Sequence, residues 1–278
     1  MMETQASPAI GKTIDAGGIE TNYHEHGTGF PVLMLHGSGV GVSAYANWRY
    51  TMPQVGKQFR AIAMDMVGFG YSACPPDARY SLDYWVDHVL RFLDAMRIEK
   101  THLLGNSFGG GLALAVTARH PERVGRTVLM GAVGTRFQAP PAFNAGHGYQ
   151  PAVERMGELL KNFTYFPESI TDEAVQLRYH TSMRPGYQAT FEKLFPGTRE
   201  QKMLAMVTPD EQIQAIRNEV LLIHGREDRV VPTETSERLF RLIPRAELHM
   251  FGQCGHWSHI DQADRFNRLV TDFYARQP

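Results

Sequence analysis

The sequence predicts an α/β protein in which helices cover a mostly parallel sheet. Short apolar runs recur along the chain, and most of them end at or beside a glycine. Longer segments with helical spacing separate these runs, as the crossovers between parallel strands require. At 278 residues the chain is long enough for one large α/β domain with an insertion, or for two modest domains.

Six apolar runs are predicted as strands of this sheet. They are PVLMLHG (31–37), RAIAMDM (60–66), THLLGNS (101–107), RTVLMGAVG (126–134), VLLIHG (220–225) and AELHMFG (246–252). Before them, GGIETNYHEHG alternates, with Ile19, Thr21 and Tyr23 on one face and Glu20 and Asn22 on the other. This alternation predicts an antiparallel edge strand with one face in water.

The helical segments divide the chain into a core and an insertion. In SLDYWVDHVLRFLDAMRI (81–98) one apolar stripe predicts a core-facing helix. From about Phe137 to Met206 no strand-like run appears, and aromatic, proline-containing and helical segments take over. We therefore expect a helical lid at 137–206, inserted between core segments 1–136 and 207–278. Inside it, Thr171 is the expected N-cap of a helix.

Composition excludes several functions. The 28 Lys and Arg residues balance 29 Asp and Glu, so a nucleic-acid partner is not expected. No apolar run approaches the ~20 residues that span a bilayer, and the N-terminal MMETQASPAIGKT has no secretory-signal pattern, so we expect no membrane partner and a cytoplasmic location. Cys74 and Cys254 are too few for a disulfide framework, and neither is expected to be catalytic.

The stretch THLLGNSFGGGLALA (101–115) fits GxSxG, with Gly105, Ser107 and Gly109 at the fixed positions. Strand, sharp turn and helix in this order make a nucleophile elbow, which exposes the serine hydroxyl at the sheet edge. Glycines on either side allow the chain to pass close to the turn. The alternative is a glycine-rich helix start in which Ser107 is only a cap.

A serine becomes a nucleophile only when a base takes its proton and a carboxylate orients that base. Asp228 follows the run VLLIHG, and His256 follows AELHMFG. The order Ser, Asp, His is that of α/β-hydrolases, and the carboxyl ends of parallel strands open on one crevice. We therefore expect Ser107, Asp228 and His256 to form a catalytic triad, with no cofactor.

Other residues compete for these roles. Glu227 is adjacent to Asp228, and the pattern separates the two only weakly. His259 competes with His256, and the pair has the spacing of two metal ligands on a helix, although no further ligand cluster supports a metal. The remaining histidines without a strand-end context are expected to be structural or exposed: His24, His26, His120, His147 and His180.

Two backbone N–H groups are needed to stabilise the oxyanion, one after the nucleophile and one from a loop after an early strand. The segment LMLHGSGVG supplies the second, so the amides of Phe108 and Ser38 are the candidates. His36 and Gly37 would shape this loop. The alternative is an ordinary glycine-rich turn.

Several stretches together resemble the meta-cleavage product hydrolases, which cleave carbon–carbon bonds in aromatic degradation. They are TNYHEHGTGFPVLMLHGSGVGVSAYANWR, MDMVGFGYS, LLGNSFGGGLALA, VLMGAVGTRF, LIHGREDRVVP and CGHW. The similarity covers nearly the whole chain and is greatest to enzymes for the ring-fission products of monocyclic catechols. It implies an α/β-hydrolase fold with an eight-stranded, mostly parallel sheet, and a homodimer or larger oligomer.

The resemblance also implies the substrate: a 2-hydroxy-6-oxo-2,4-dienoate, cleaved between carbons 5 and 6. Arg178 is near the middle of the apolar face of the helix that begins at Thr171, where it could be a snorkelling side chain or one half of an ion pair. The resemblance instead aligns Arg178 with the residue that binds the substrate carboxylate. It further implies that Asn47, Asn106 and Trp257 contact the substrate.

The lid stretch NAGHGYQPA departs from the family pattern, because His147 stands where relatives often carry a larger apolar residue. This leaves the preferred 6-substituent open. Val133, Met203 and Val231 are further candidates for lining that end of the pocket. Two other functions remain: a general carboxylesterase with the same triad, and a binding protein without turnover.

Overall fold

An eight-stranded sheet forms the centre of the computed structural model, which describes residues 7–277. Residues 1–6 and Pro278 lie outside the described part; residues 1–6 belong to the predicted first core segment and to the MMETQASPAIGKT stretch. The strands are β1 (Lys12–Asp15), β2 (Glu20–His26), β3 (Pro31–Leu35), β4 (Arg60–Met64), β5 (Thr101–Asn106), β6 (Val124–Met130), β7 (Val220–Gly225) and β8 (Ala246–Phe251).

The sheet order is β1-β2-β4-β3-β5-β6-β7-β8, and every pair from β4 to β8 is parallel. Strands β1 and β2 are antiparallel to each other, and β2 is antiparallel to β4. The predicted fold class, a mostly parallel eight-stranded sheet flanked by helices, is therefore confirmed. Residues at the carboxyl ends of β3, β5, β7 and β8 consequently face one edge of the sheet.

Helices cover both faces of the sheet and fill the region between β6 and β7. They are α1 (Ala44–Trp48), α2 (Met52–Val55), α3 (Leu82–Ala95), α4 (Phe108–Arg119), α5 (Val153–Lys161), α6 (Asp172–Ser182), α7 (Tyr187–Leu194), α8 (Arg199–Leu204), α9 (Asp210–Gln214), α10 (Glu234–Leu242), α11 (Ser258–Asp261) and α12 (Ala263–Ala275). Short 3₁₀ turns occur at Pro121–Arg123, Pro141–Asn144 and Pro167–Ser169. Within residues 7–277, no helix combines the length and apolar character that crossing a bilayer requires.

The strands alternate between two cores, as the period-2 geometry of a strand dictates. On β3, Leu33 and Leu35 pack on the side of α3 and α4. Val32 and Met34 pack on the opposite side, against α1, α2 and α12. Both faces of the central strands are thus buried, which explains why their sequences are continuously apolar.

The segment predicted as a lid, 137–206, contains α5 to α8, two of the short 3₁₀ turns and no strand among its described residues, which include all of it. Its helix α6 begins as predicted, since Thr171 Oγ1 accepts a hydrogen bond from the Ala174 amide. The segment contacts the loop after β3, because the Gly41 amide donates to Tyr187 Oη at 2.6 Å. Its apolar side chains, Met156 and Leu160 among them, also form a cluster with Val40 and Trp257 of the core.

One strand differs from its prediction. Strand β2 is not the edge of the sheet, because β1 pairs along its outer side. Asn22, predicted to face water, is buried, since its amide donates to Asp65 Oδ2 at 2.8 Å and its carbonyl accepts from the Gly11 amide at 2.7 Å. These hydrogen bonds compensate for the burial of a polar side chain.

Candidate active site

Ser107 occupies the turn between β5 and α4, in a conformation that few side chains adopt. Its φ is +55° and its ψ is −113°. A Cβ on Gly105 would lie 2.3 Å from the Gly109 carbonyl oxygen, and one on Gly109 would lie 2.2 Å from the Leu35 carbonyl oxygen. Both positions therefore require glycine, and the strained turn holds the hydroxyl of Ser107 away from its own backbone.

His256 and Asp228 form a buried, hydrogen-bonded pair. The Nδ1–H of His256 donates to Asp228 Oδ2 at 2.7 Å, which leaves Nε2 free to accept a proton. Asp228 is completely buried, and its Oδ1 accepts from the amides of Val230 and Val231 at 2.8 and 3.0 Å. The loops after β7 and β8 thus orient an imidazole and supply the carboxylate that holds it.

Sequence reasoning missed a second histidine at this carboxylate. His224 Nε2 lies 3.1 Å from Asp228 Oδ2, and Ser236 Oγ lies 2.7 Å from His224 Nδ1. Burial opposes ionisation of Asp228, but the charge of His256 and the hydrogen bonds from His224 and His256 outweigh it, so the pKa of Asp228 falls below its ordinary value. The signal was available, since His224 is the last residue but one of β7 and lies four residues before Asp228.

A cavity of about 180 Å³ lies above the carboxyl ends of the strands. All the predicted site residues except Asp228 line it, namely Ser38, Asn47, Asn106, Ser107, Phe108, Arg178, His256 and Trp257. Ser107 and His256 therefore share one cavity, although no hydrogen bond joins their side chains among the described contacts. Such bonds are often long in unliganded sites and shorten when the substrate binds.

The two predicted oxyanion donors also face this cavity. Phe108 is the first residue of α4, and Ser38 lies in the loop after β3. Neither amide donates to a protein group in the described chain, so both are free to bind an oxyanion. The positive end of the α4 dipole adds to the favourable potential there.

His36 fixes the conformation of the oxyanion loop. Its Nε2 accepts a hydrogen bond from the Met66 amide at 3.0 Å, so its Nδ1 carries the proton and donates to the Gly37 carbonyl at 2.6 Å. Burial lowers the pKa of His36 to about 4, which keeps the ring neutral and preserves this arrangement. On the opposite side, the Gly37 amide donates to Asn47 Oδ1 at 3.2 Å.

Arg178 is an unpaired cation on the cavity wall. Only 4% of the residue is exposed, and within residues 7–277 no carboxylate lies within ion-pair distance of it. Its Nη1 donates to the Val40 carbonyl at 3.3 Å, and its guanidinium lies 4.9 Å from the ring centroid of Trp257. Burial lowers its pKa to about 10, so it stays charged at neutral pH. Neither a snorkelling side chain nor an ion pair describes this geometry.

Asn47, Asn106 and Trp257 support the same wall. Asn47 is buried, and its Nδ2 has no hydrogen-bond partner among the described residues, so a donor remains for a ligand. Asn106 is also buried and donates weakly to the Met130 carbonyl at 3.4 Å. Trp257 stacks on Phe163 with ring centroids 4.9 Å apart, which fixes the aromatic face that Arg178 covers.

Of the three apolar residues predicted to line the pocket near the 6-substituent, one lines the cavity. Val133 lines the cavity, but Met203 and Val231 do not. Instead Met206, one helical turn after Met203, and Val230 face it.

The competing residues lie elsewhere. The Glu227 carboxylate accepts from the Cys254 amide at 3.0 Å and pairs with Arg226, so it points away from His256. His259 is buried against Trp48 and does not line the cavity. In the described part of the chain, no three His, Cys, Asp or Glu side chains cluster as metal ligands would.

Comparisons with known proteins place this arrangement in context. Residues 31–263 match the family model of the alpha/beta hydrolase fold. The chain is 50% identical to a 2-hydroxymuconate semialdehyde hydrolase of Pseudomonas sp. strain CF600, covering 99% of this chain and 97% of that protein. It is 47% identical to a 2-hydroxy-6-oxo-2,4-heptadienoate hydrolase of Pseudomonas putida strain F1, covering 99% of each.

A solved structure is similar over the same length. A meta-cleavage product hydrolase from Pseudomonas fluorescens IP01 superposes with a TM-score of 0.93 and 53% identity. The match covers 96% of this chain and 98% of that one. The likeness therefore includes the segment between β6 and β7 as well as the sheet.

Proposed function

The chain belongs to the alpha/beta hydrolase family and, within it, to the meta-cleavage product hydrolases, and from this premise we propose how it acts. It hydrolyses the bond between carbons 5 and 6 of a 2-hydroxy-6-oxo-2,4-dienoate. Water is consumed, and the products are 2-hydroxypenta-2,4-dienoate and a carboxylic acid. The observation that carries the proposal is a buried, unpaired Arg178 in the same cavity as Ser107 and the His256–Asp228 pair.

Arg178 binds the substrate carboxylate. A buried guanidinium without an acidic partner is costly, and a ligand carboxylate supplies the missing charge with two parallel hydrogen bonds. Asn47 Nδ2, which has no protein partner, donates to the oxygen atoms at the same end of the substrate. Anchoring at that end directs the carbonyl at carbon 6 towards Ser107.

The chemistry begins with a proton transfer because carbon is a poor leaving group. His256, held by Asp228, moves the proton of the 2-hydroxyl to carbon 5, which converts the dienol into its keto form. The electrons of the breaking bond then have a conjugated carbonyl to enter. The free Nε2 of His256 both takes the proton from the 2-hydroxyl and delivers it to carbon 5.

The bond breaks after attack at carbon 6. Ser107 either attacks directly or activates the attacking water, and the amides of Ser38 and Phe108 bind the resulting oxyanion. The tetrahedral centre collapses, the bond between carbons 5 and 6 breaks, and its electron pair passes into the ketone. The leaving fragment takes a proton from His256 and is released as the dienol. On the direct route, water activated by His256 then hydrolyses the acyl group from Ser107 and releases the carboxylic acid.

The direct test follows the loss of the dienoate absorbance with the purified protein. We expect 2-hydroxymuconate semialdehyde and 2-hydroxy-6-oxo-2,4-heptadienoate to be cleaved, and Ser107→Ala to slow cleavage by at least ~10³-fold. Recovery of equimolar carboxylic acid establishes that the carbon–carbon bond broke. Unchanged dienoate beside rapid hydrolysis of nitrophenyl esters supports a carboxylesterase instead.

The substitution Arg178→Gln also distinguishes carbon–carbon bond hydrolysis from carboxylesterase activity. We expect kcat/KM for the dienoate to fall by roughly 10²-fold, because a buried charged contact is lost, while neutral ester hydrolysis changes little. Arg155→Gln is the matched control, since Arg155 is exposed on α5. An equal loss for both substrates removes the proposed role of Arg178.

Location and assembly are also parts of the proposal: the location rests on the sequence pattern and the assembly on the resemblance. A cytoplasmic enzyme that forms a homodimer or larger oligomer is expected. Cell fractionation and size-exclusion chromatography with light scattering test the two expectations separately.

A further inference from the structure

A second polar group on the cavity wall lies apart from the catalytic residues. Lys202 on α8 donates to Asn144 Oδ1 at 2.8 Å, and its Nζ lies 3.5 Å from His147 Nδ1. All three residues line the cavity that contains Ser107. We call them the Lys202 cluster. Neither the apolar pattern of the lid nor the proposed reaction accounts for a cation at this place.

A series of backbone contacts connects Ser107 with the Lys202 cluster along one side of the cavity. The Val133 amide donates to the Ser107 carbonyl, and the next residue, Gly134, accepts from the Thr208 amide at 2.9 Å. Met206 lines the cavity just before that contact, and Lys202 lies one helical turn earlier. The cluster therefore lies on the side of the cavity where Val133 contacts Ser107.

Arg178 is held by other contacts than those of the Lys202 cluster. Its contacts are the Val40 carbonyl and the ring of Trp257, and it shares no contact with Lys202. With the substrate carboxylate at Arg178 and carbon 6 at Ser107, the 6-substituent continues past Ser107 along the cavity. The Lys202 cluster is then positioned to meet the substituent.

The cluster is rich in donors and has no anionic partner. No carboxylate lies within ion-pair distance of Lys202 among residues 7–277, and the lysine is half-buried, which lowers its pKa. Glu192 also lines the cavity, but it is exposed and forms no ion pair there. The third Nζ proton, the amide of Asn144 and the ring of His147 remain to donate to a ligand.

We propose that the Lys202 cluster binds a carboxylate on the 6-substituent, so that the enzyme accepts dienedioates as well as substrates with short apolar substituents. This inference rests on the proposed carbon–carbon hydrolysis and names the substrate class of the same site. A charge-assisted hydrogen bond from a half-buried lysine selects an anionic substituent over a neutral one.

The test compares 2-hydroxy-6-oxononadienedioate with 2-hydroxy-6-oxo-2,4-heptadienoate. We expect kcat/KM of the wild-type enzyme for the dioate to be at least as large as for the heptadienoate. Lys202→Met lowers the ratio of the two values roughly 10- to 100-fold, mainly through KM of the dioate, and Lys202→Arg restores most of it. Lys193→Met is the control, because Lys193 is an exposed lysine on α7 outside the cavity.

Two results overturn the inference while leaving the proposed function intact. One is a wild-type kcat/KM for the dioate below that for the heptadienoate. The other is an equal loss for both substrates in Lys202→Met, which describes general attraction of anions rather than recognition of the substituent. Failure of the wild type to cleave the heptadienoate instead contradicts the proposed function.

A binding measurement keeps the inference testable without turnover. Ser107→Ala is titrated with each compound by calorimetry, with and without Lys202→Met. We expect tighter binding of the dioate, and a loss of that preference in the double variant. Equal affinities for the dioate in both proteins contradict the role of Lys202, and circular dichroism and thermal melting establish that each variant is folded.

Discussion

Glu227 and Asp228 are adjacent in the chain, yet their carboxylates bond to different parts of the fold. Asp228 lies inside the turn that follows β7 and accepts from His256, whereas Glu227 points outward to the Cys254 amide. The sequence pattern favoured Asp228 only weakly, because both residues follow the same strand. The direction of each side chain depends on the turn that the Asp228 amide closes on the Gly225 carbonyl, at 3.1 Å.

This difference gives a matched pair of isosteric substitutions. We expect Asp228→Asn to lower kcat by about 10³- to 10⁴-fold, because the imidazole loses the carboxylate that fixes its tautomer and stabilises its charge. Glu227→Gln is expected to retain kcat, since an amide oxygen still accepts from Cys254. Steady-state rates on the heptadienoate are the measurement, and comparable losses in the two variants would contradict the assignment of Asp228.

At the scale of elements, the strands and helix starts that have a local sequence pattern were predicted, and those without one were missed. Apolar runs that end near a glycine identified the six parallel strands, alternation identified β2, and Thr171 predicted the start of α6. Strand β1 was missed because KTID is short and largely exposed, so its pairing with β2 leaves no apolar pattern. The role of Lys202 was missed for another reason: it depends on a turn at Asn144 meeting α8, 58 residues later in the chain.

Gly109 in α4 and Gly157 in α5 differ in the space around them, so substitution by alanine has opposite expected effects at the two positions. Gly109→Ala is expected to destabilise the fold by about 1–3 kcal/mol and to lower kcat, because a Cβ would meet the Leu35 carbonyl and displace the elbow. Gly157→Ala in α5 meets only a methyl group of Val175 at 3.8 Å, so it is expected to stabilise by about 0.5–1 kcal/mol.

Denaturant unfolding and steady-state rates are the measurements for this pair. The α5 substitution also controls for the general effect of alanine in a helix. A neutral Gly109→Ala variant with full activity would show that the backbone contact between α4 and β3 is not needed to position Ser107.

At the scale of the whole molecule, buried histidines make stability depend on pH. Burial lowers the pKa of His36 and His102 to about 4, and that of His88 and His259 to about 3. In the unfolded chain these rings take up protons near their ordinary value of 6.5. As the pH falls from about 6.5 towards about 4, the unfolded state binds protons that the folded state cannot, and stability decreases.

Asp65 acts in the opposite direction. Burial raises its pKa to about 6, so the folded state binds this proton first as the pH falls, and stability increases through that step. Burial also raises the pKa of Asp261, but the four histidines outweigh the two carboxyls. We therefore expect the free energy of unfolding to fall from about pH 6.5 to about pH 4, by about 1.4 kcal/mol per pH unit for each net proton.

Denaturant unfolding at several pH values measures this slope. His102→Gln is expected to reduce this slope by about one proton, because the pKa of the buried ring is lowered to about 4. A free energy of unfolding that stays constant over this range would contradict the account of the buried rings.

The insertion between β6 and β7 carries Arg178 and Lys202, whereas Ser107, Asp228 and His256 come from the ends of the strands. The two cations proposed to bind the ends of the substrate and the three residues proposed to cleave it are therefore encoded in separate stretches of the gene. Mutations in the insertion can therefore change which substrates the enzyme accepts while the residues proposed to cleave the bond stay the same.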